Sequence, residues 1–598
     1  MNRALKHYTL KSSELQEKNI SLSKESSYYS ILRLIIFIGG LAVTYIAYRR
    51  GNISFIYIAL LLFAGLFISA AYKHGRVLEE LTYIKAMERV VAKGKDRLEE
   101  NFNGFLDKGD DFIDKSHPYT YDLDIFGEGS LFQRYNGTST YLGRKRFAGE
   151  LTGDISFSKE DIFERQQAIE ELSGKADFRE DIEVVGVMEK GEKTSPSELI
   201  AWKGEREKLF SSKVFKVFVW ALNLLTAAIV VMMILGIVDY RILLLDILLN
   251  GLILLWGKSK RVQALRLIEL YKENINTYFK IVELTEKEFF TSPLLLDLKK
   301  RLEEGEKSAS YQLKELAKIV RSLSDTHNAY YLIINHLSLM DYHILMRLEQ
   351  WKSNYGDALE RWLEVAAEME SLCSLSIINF ENEDYSIPEI VDYKMVEGKA
   401  IGHPLLGKKA VTNDFSLKEP HRAVLITGSN MSGKSTFLRT LGSNLLLSYL
   451  GTRVRAEAFT CGIMSIYTCM RVNDDLKESI SSFYAELLRI EEVIKATKED
   501  KPIFYLLDEI FKGTNSMDRH KGAEILLKQL MKRNTLGLVS THDLELTDME
   551  NTHKGVINYH FKEYYEDNTL KFDYKLRKGY STTQNALYLM RMIGIEEE

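Results

Sequence analysis

Two pairs of strongly apolar segments constrain this chain more than any other feature, because only a few polar residues separate the members of each pair. The segments are Leu34–Tyr48 and Ile53–Tyr72, then Val217–Val238 and Ile242–Trp256. The second and third are long enough to cross a hydrocarbon core of about 30 Å, and the first and fourth reach that length with their flanks. Aromatic residues near the segment ends favour the headgroup region. We predict two transmembrane helical hairpins, at residues 31–76 and 213–257.

The alternative is two buried hairpins in a large soluble core, but pairing, length and terminal aromatics favour insertion into a membrane. Asp246 and Asn250 lie one turn apart in the fourth segment, and we expect them to face other helices because polar groups at that depth are costly. An alternative hypothesis for these two residues is a role in transport. The outer flanks of the hairpins carry basic residues: Arg33, Lys73, Arg76, Lys213, Lys216, Lys258, Lys260 and Arg261. Although Arg49 and Arg50 at the first tip oppose it, this pattern predicts a multi-pass protein with cytoplasmic termini and large domains.

Composition excludes several other classes of protein. The 598 residues suggest three or four domains, and the net charge of −5 gives no support to a globally basic nucleic-acid binder, although a local basic channel stays open. The three cysteines, Cys373, Cys461 and Cys469, form no C-x-x-C pair and indicate a reducing compartment. Residues 1–30 form a polar leader without the pattern of a signal peptide.

The remaining chain divides by pattern into three parts. Residues 77–212 form a soluble block, and residues 258–386 have long helical periodicity without proline over most of their length. Residues 387–598 alternate short apolar runs with helical stretches. The apolar runs Ala423–Thr427, Pro502–Asp508 and Leu536–Thr541 predict strands of a parallel sheet flanked by helices.

A phosphate-binding loop follows the first of these strands. "GSNMSGKS" fits G-x-x-x-x-G-K-[ST] between a predicted strand and a predicted helix, which is the setting that such a loop requires. Its glycines let the backbone curl so that the N–H groups surround the phosphates, and the N-terminus of the following helix favours negative charge. The predicted nucleotide-binding residues are Gly428, Ser429, Asn430, Met431, Ser432, Gly433, Lys434, Ser435 and Thr436. Lys434 would reach the β- and γ-phosphates, and the Ser435 hydroxyl would bind Mg²⁺.

Catalytic candidates follow the other two strands. Asp508 and Glu509 end the second strand, where Asp508 would support Mg²⁺ and Glu509 would orient or deprotonate the attacking water. His542 follows the third strand and would sense the γ-phosphate. A lone histidine or a strand-end carboxylate is often structural, but the position of all three at one sheet edge favours a functional role.

At this point a specific resemblance emerges. "TGSNMSGKSTFLRTLG", "SISSFYAELLRI", "LLDEIFKGTNSMD" and "STHDLEL" resemble, in this order, the ATPase motifs of the MutS family of mismatch-repair proteins, which are related to ABC ATPases. The likeness extends upstream to "GHPLL" and "VTNDFSL" and downstream to "YKLRKGYSTTQNALYLMRMIGI". It implies ATP and Mg²⁺ as ligands, a homodimer that completes each site across its interface, and an association with DNA.

By this resemblance, several residues act between subunits. Ser481, with Ser482 beside it, would reach the nucleotide of the partner subunit, and Thr514, Asn515 and Asp518 would signal between the two sites. A weaker likeness, "SLFQRYNGTSTYLGRKRFAGELTGDISFSKEDIFERQQAIEEL", is similar to the start of the MutS core domain. The second hairpin would then be inserted into that core domain. The likeness covers the chain from about Asp122 to its end. We therefore expect the mismatch-reading domain to be absent and the C-terminal dimerisation tail to be missing or truncated.

The chain also departs from the family pattern. Ser429 and Ser432 stand where proline and glycine are usual, and Phe511 and Lys512 replace a Gly-Arg pair. Ala410 holds the place of an aromatic residue that stacks on adenine, so the sequence predicts phosphate binding but gives no residue for stacking on the base.

These observations predict an α/β P-loop NTPase domain with an ABC-type ATPase sheet at residues 387–598. A mostly helical core and lever region precedes it, beginning at 77–212 and continuing at 258–386, and two transmembrane hairpins complete the chain. The favoured function is a membrane-anchored MutS-like ATPase coupled to DNA or to mismatch repair. The alternatives are an ABC-like transporter or mechanoenzyme that moves its transmembrane helices, although the chain has no L-S-G-G-Q signature, and a scaffold with a nucleotide switch, which the complete Asp-Glu pair argues against.

Overall fold

The structure is a computed structural model, and it describes most of the chain. The described residues are 3–188, 195–202, 210, 212–256, 258–303, 308–322, 329–471, 482–566 and 569–580.

The first hairpin consists of two very long helices. α1 covers Arg3–Arg49 and α2 covers Ile53–Leu98, and the Asn52 side chain caps α2 by accepting a hydrogen bond from the Phe55 N–H at 3.1 Å. The polar leader and the first apolar segment therefore share one helix. Away from the apolar tip, α1 and α2 pack on the body of the protein, where Tyr8, Met87 and Phe380 belong to one buried cluster.

Short helices follow the first hairpin. They are α3 (Leu131–Tyr135), α4 (Tyr141–Thr152), α5 (Lys159–Gly174), α6 (Ala176–Met188) and α7 (Ser197–Trp202), with 3₁₀ turns at Phe102–Gly104 and Asp110–Phe112. Ser130, Thr140 and Ser158 each accept a backbone hydrogen bond at the start of α3, α4 and α5, which explains where these helices begin.

The second hairpin consists of α8 (Lys213–Ile234) and α9 (Tyr240–Trp256). Among the described residues, α1, α2 and α8 are long and apolar enough to cross a membrane by length and composition, whereas α9 has only 17 residues. Inside the hairpin, the Thr226 hydroxyl donates to Asp246 at 2.7 Å, and the Asn250 amide lies 3.4 Å from the same hydroxyl. The prediction that Asp246 and Asn250 face another helix is confirmed.

The predicted helical region is broken where its periodicity had suggested continuity. It contains α10 (Lys258–Lys287), α11 (Pro293–Glu303), α12 (Ala309–Arg321), α13 (Ala329–Ser338) and α14 (Met340–Glu381). Buried Leu339, with a φ of 48°, separates α13 from α14. α14 has 42 residues and packs against α4, α5 and α10, so that it forms the spine of the helical body.

Two sheets form the C-terminal domain. The strands are β1 (Glu389–Val391), β2 (Met395–Ile401), β3 (Asn413–Lys418), β4 (Ala423–Thr427), β5 (Ala458–Gly462), β6 (Ser465–Cys469), β7 (Ile503–Asp508), β8 (Thr535–Ser540), β9 (Val556–Glu566) and β10 (Thr569–Lys578). The smaller sheet has the order β1-β5-β2-β3. The larger has the order β10-β9-β4-β8-β7-β6, in which all pairs are parallel except β9 with β10. The three predicted strands are confirmed as β4, β7 and β8, at adjacent positions.

Helices cover the larger sheet. They are α15 (Lys434–Leu450), α16 (Ser482–Ala496), α17 (Ser516–Met531) and α18 (Met549–Thr552), with 3₁₀ turns at Pro404–Lys409 and Glu545–Asp548. One hydrophobic core runs from α14 through α15 into the sheet and includes Leu372, Leu441 and Leu506. The three cysteines are buried and free. The parallel order places the carboxyl ends of β4, β7 and β8 at one edge, where chemical groups from all three meet.

Candidate functional site

The phosphate-binding loop lies between the end of β4 and the start of α15. Positive φ angles at Gly428 (148°), Met431 (68°) and Gly433 (105°) curl its backbone. A Cβ at Gly428 would lie 2.8 Å from the Ser432 hydroxyl and 3.1 Å from the Phe561 carbonyl oxygen, so no larger residue fits there. A glycine-containing loop with positive φ angles that leads into a helix N-terminus is the usual backbone setting for binding phosphate oxygens.

Lys434 is buried beneath the loop. Its ammonium donates to the carbonyl oxygens of Gly428 at 2.9 Å and Ser429 at 3.1 Å, and burial lowers the pKa of Lys434 below its ordinary value. The same ammonium lies 3.4 Å from Glu509 Oε1 and 3.3 Å from His542 Nε2. A fixed cation thus stands at the base of the loop.

Glu509 follows β7 in a left-handed conformation, with a φ of 50°. His542 Nε2 is 3.0 Å from Glu509 Oε1, and Lys512 Nζ is 2.8 Å from Glu509 Oε2. The hydrogen bond with His542 is the largest cause that holds the pKa of the Glu509 carboxyl far below its ordinary value, and Lys512 and Lys434 act in the same direction. Glu509 is therefore ionised at neutral pH, as a base must be.

His542 joins the loop to the catalytic carboxylate. Its Nε2 lies 2.8 Å from Asn430 Oδ1 in addition to its contact with Glu509, so that one N–H can be shared between two oxygen acceptors. The structure thus brings the predicted residues Lys434, Glu509 and His542 within hydrogen-bond or ion-pair distance of one another.

Two oxygen-bearing side chains could hold a magnesium ion. Asp508 ends β7, pairs in register with Ser540 of β8 and accepts a hydrogen bond from the Ser540 hydroxyl. Ser435 lies in the first turn of α15 and lines the cavity described below. A hydroxyl and a carboxylate are the hard oxygen ligands that Mg²⁺ prefers, so the donor set fits this ion.

A cavity of about 390 Å³ opens above the loop. Of the predicted nucleotide-binding residues, it is lined by Ser429, Asn430, Met431, Ser432, Gly433, Lys434, Ser435 and Thr436, and Gly428 adjoins it through the carbonyl that binds Lys434. A wider groove of about 990 Å³ between α1 and α2 lies away from these groups.

Tyr574 is a cavity residue that the sequence analysis missed. It lies on β10, and its ring approaches Gly433, where a Cβ would be 3.2 Å from Tyr574 Cδ1. The Asn413 amide donates to the Tyr574 carbonyl at 3.0 Å and fixes this part of the strand. Ala410 also lines the cavity. The cavity therefore has an aromatic side chain in Tyr574, although Ala410 supplies none. In the sequence, the feature that could have identified Tyr574 is its position as an aromatic residue in β10.

Glu486 is a second missed residue. It is buried on α16, and the backbone N–H groups of Phe511 and Lys512 donate to its carboxyl. Burial raises the pKa of Glu486. Phe511 has a φ of 63° and its ring centroid lies 6.5 Å from that of Phe483, so α16 holds the loop that follows Glu509 by polar and apolar contacts. In the sequence, the feature that could have identified Glu486 is its position as an acidic residue on the otherwise apolar face of α16.

Thr514, Asn515 and Asp518, which were predicted to act between subunits, are described by the structure and do not line the cavity. Ser481 lies outside the described residues, and Ser482 is the first residue of α16. Asn515 caps α17, since its Oδ1 accepts from the Asp518 N–H at 2.9 Å, and both residues are exposed next to Thr514. Their role toward a partner subunit stays a prediction.

Comparison with known proteins gives a consistent result. Residues 424–598 match the family model of MutS domain V. Three proteins named DNA mismatch repair protein MutS are similar over part of the chain. The protein from Persephonella marina is 27% identical over 267 residues, which are 44% of this chain and 30% of the relative. The protein from Carboxydothermus hydrogenoformans is 26% identical over 55% of this chain and 39% of the relative. The protein from Clostridium perfringens is 26% identical over 50% of this chain and 33% of the relative. The chain thus spans about a third of the length of these relatives.

Proposed function

Because this chain is a MutS-family protein, with a MutS domain V at its C-terminus, we propose that it binds and hydrolyses ATP. The observation that carries the proposal is the meeting of Lys434, Glu509 and His542 beneath a phosphate-binding loop, within 3.4 Å of one another. These residues come from three different strand ends or loops, and their convergence supports a single chemical task.

The task is an in-line attack of water on the γ-phosphorus of ATP. Glu509 orients the water and takes its proton, the bond between the γ-phosphorus and the bridging oxygen breaks, and ADP leaves with the bond electrons. Lys434 stabilises the charge on the β- and γ-phosphates. When bound by Ser435 and Asp508, a magnesium ion supplies further charge stabilisation for the phosphate oxygens.

The ion pairs of Glu509 also provide a means of control. Lys434 and His542 both contact Glu509 Oε1, and the γ-phosphate of ATP would compete for these two groups. When they turn to the phosphate, Glu509 Oε1 becomes free to accept from water. We place Ser481 of a partner subunit at the same phosphate, so that a homodimer completes each site.

The hairpins anchor this ATPase to a membrane with its large domains on the cytoplasmic side. Only 11% of the most apolar window of α1, 11% of that of α2 and 22% of that of α8 is buried within the protein. Side chains such as Leu61, Leu224 and Leu248 are exposed, which is costly in water and favourable in lipid. DNA is the partner that family membership suggests.

One experiment tests the ATPase proposal and its coupling to DNA. ATP turnover of the full-length protein, purified in detergent, is measured with and without duplex DNA at low salt and compared with Glu509→Gln. We expect turnover to fall at least about a hundredfold in Glu509→Gln while ATP still binds, because the water loses its base. Unchanged turnover in this variant would exclude the assigned role of Glu509. A protein that binds ATP but neither binds DNA nor responds to it would exclude the coupling to DNA.

A second candidate function is a membrane mechanoenzyme, and one contact favours it. The buried Arg97 guanidinium of α2 donates to Glu381 Oε1 at 2.7 Å, and the Tyr8 hydroxyl of α1 donates to the same oxygen at 3.0 Å. Glu381 is the last residue of α14, eight positions before the ATPase domain begins with β1 at Glu389. Motion of the ATPase domain would therefore reach the first hairpin directly. ATP turnover that is unaffected by DNA but changes on reconstitution into lipid would favour this function.

A further inference from the structure

Helix α13 turns its apolar side chains outward. Leu332, Ile333 and Ile334 are 52%, 61% and 52% exposed, whereas Tyr331 and Asn335 on the other face are buried. A surface helix in water has the opposite arrangement, with polar residues outside and apolar residues inside. An exposed apolar strip of this kind marks a surface that meets a partner or a lipid phase.

The orientation of α13 is fixed by a buried carboxylate. Asp341, at the start of α14, accepts hydrogen bonds from the Tyr331 hydroxyl and, at 2.9 Å, from the Asn335 amide. Arg261 of α10 pairs with the same carboxylate at 2.5 Å. Rotating α13 to bury its apolar strip would break the hydrogen bonds from Tyr331 and Asn335 and leave lone pairs of a buried carboxylate without donors, which is unfavourable. The outward face is therefore a stable property of the fold.

α13 lies beside the base of the second hairpin. A Cβ at Gly251 of α9 would be 3.4 Å from His336 of α13, which shows how closely the two helices approach. The Tyr342 hydroxyl donates to the carbonyl oxygen of Ile253 at 2.9 Å, and the rings of Trp220 and His343 meet edge to face at 5.0 Å. These contacts place α13 at the level where α9 ends, next to the exposed apolar side chains of the hairpin.

We propose that α13 is an interfacial helix that lies in the cytoplasmic leaflet, with Leu332, Ile333 and Ile334 inserted at the boundary between headgroups and acyl chains. The inference rests on the proposed membrane insertion of the second hairpin, whose lipid-facing surface α13 extends. Lys213, Lys216 and Lys258 flank the hairpin at the same level, so the surface suits anionic phospholipids. An apolar face sunk about 5–10 Å below the headgroups is the usual depth for such a helix.

The test measures the depth of three labelled positions in the full-length protein. Ile333→Cys, Leu248→Cys and Ile525→Cys are each labelled with an environment-sensitive fluorophore and reconstituted into phosphatidylcholine/phosphatidylglycerol vesicles. The native cysteines are buried, which keeps background labelling low. Leu248 is 61% exposed in the middle of α9, and Ile525 is a matched isoleucine, 55% exposed, on α17 of the ATPase domain. Quenching is compared between lipids that carry a spin label near the headgroup and lipids that carry it near the chain end.

We expect position 333 to be quenched about twofold more by the shallow label than by the deep one, position 248 more by the deep label, and position 525 by neither. Quenching at 248 without quenching at 333 would overturn the inference about α13 and leave the membrane hairpin intact. Absence of quenching at both would overturn the proposed insertion itself. A blue-shifted fluorophore at 333 that no lipid quenches would show that protein, such as a second copy of the chain, covers α13, and would also overturn the inference. Leu332→Cys replaces Ile333→Cys if the latter loses ATP turnover.

Discussion

At the residue scale, the carboxylate of Glu509 is contacted by three nitrogen-bearing side chains. Lys434 and His542 meet Oε1, and Lys512 meets Oε2. Because these contacts favour the ionised form, the pKa of Glu509 is depressed and the base stays charged as the pH falls well below neutral. Lys512, which stands where the family usually has arginine, differs from the other two in position: Lys434 belongs to the phosphate-binding loop and His542 contacts Asn430 of that loop, whereas Lys512 follows Glu509 after β7.

Replacing Lys512 should therefore shift the pH profile without abolishing activity. In Lys512→Ala, the carboxylate loses one stabilising cation, so the pKa of Glu509 rises toward its ordinary value and the acidic limb of kcat moves to higher pH. Since the Lys512 side chain is 57% exposed, the shift should stay below about one pH unit. Steady-state turnover at saturating ATP from pH 3 to pH 8 measures the shift, because kcat reports the ATP-bound state, in which Lys434 and His542 have turned to the phosphate and Lys512 is the cation that still lowers the pKa of Glu509.

Lys521→Ala is the matched control for this variant, because Lys521 is an exposed lysine that pairs with Glu524 at 3.1 Å, away from the cavity. Identical pH profiles for Lys512→Ala and Lys521→Ala would contradict the assigned effect of Lys512 on Glu509.

Tyr574 is expected to bind the base of ATP in place of the missing aromatic at Ala410. Tyr574→Ala should weaken ATP binding about tenfold, because a stacked aromatic contact contributes on the order of 1 kcal/mol beyond its buried area. Tyr574→Phe, which keeps the ring, should bind ATP like the unaltered protein. Equilibrium binding of ATP and of inorganic triphosphate distinguishes the causes, since loss of stacking weakens only ATP, whereas a collapsed loop weakens both.

At the scale of elements, the buried contact between α2 and α14 joins the first hairpin to the helical body. Arg97→Met should lower the free energy of unfolding by about 3–5 kcal/mol, because Glu381 would remain buried without its cation. The double variant Arg97→Met/Glu381→Leu should recover most of the loss, since neither charge of this pair then remains buried without the other. Thermal unfolding of the detergent-purified variants measures both effects. A double variant as unstable as the single one would show that the ion pair is not the source of the loss.

Local motifs were predictable at this scale, and long-range contacts were not. The loop at Gly428, the pair Asp508 and Glu509, and the position of His542 follow from short patterns at the ends of strands. Tyr574 and Glu486 lie at the site only because β10 and α16 pack next to it in the folded domain. The spacing of residues along the sequence does not predict these long-range contacts. The break at Leu339 was missed because the apolar periodicity of the sequence continues through it. The left-handed backbone at Leu339 is supported by the contacts of Asp341, which form only in the folded protein.

At the scale of the whole molecule, both hairpin tips should face the side of the membrane opposite to the ATPase domain. A membrane-impermeant maleimide should label Asn52→Cys and Ile237→Cys in intact bacterial cells, because both residues are exposed at the tips. Ile525→Cys should react only in inverted vesicles or after permeabilisation. Labelling of Ile525→Cys in intact cells, or of the tips only in inverted vesicles, would reverse the predicted orientation. Labelling of all three positions in sealed preparations of either kind would contradict a transmembrane arrangement.

The length of α14 determines how far one end of the helix moves when the helix tilts about its other end. With a rise of about 1.5 Å per residue, its 42 residues extend roughly 60 Å. One end adjoins the ATPase domain and the first hairpin at Glu381, and the other adjoins α13 and the second hairpin at Asp341. If the ATPase end acts as a pivot, a tilt of about 5° sweeps the far end through roughly 5 Å, close to one helical turn. A change in angle too small to disturb the packing around the nucleotide would thus become a displacement as large as a side chain beside the bilayer.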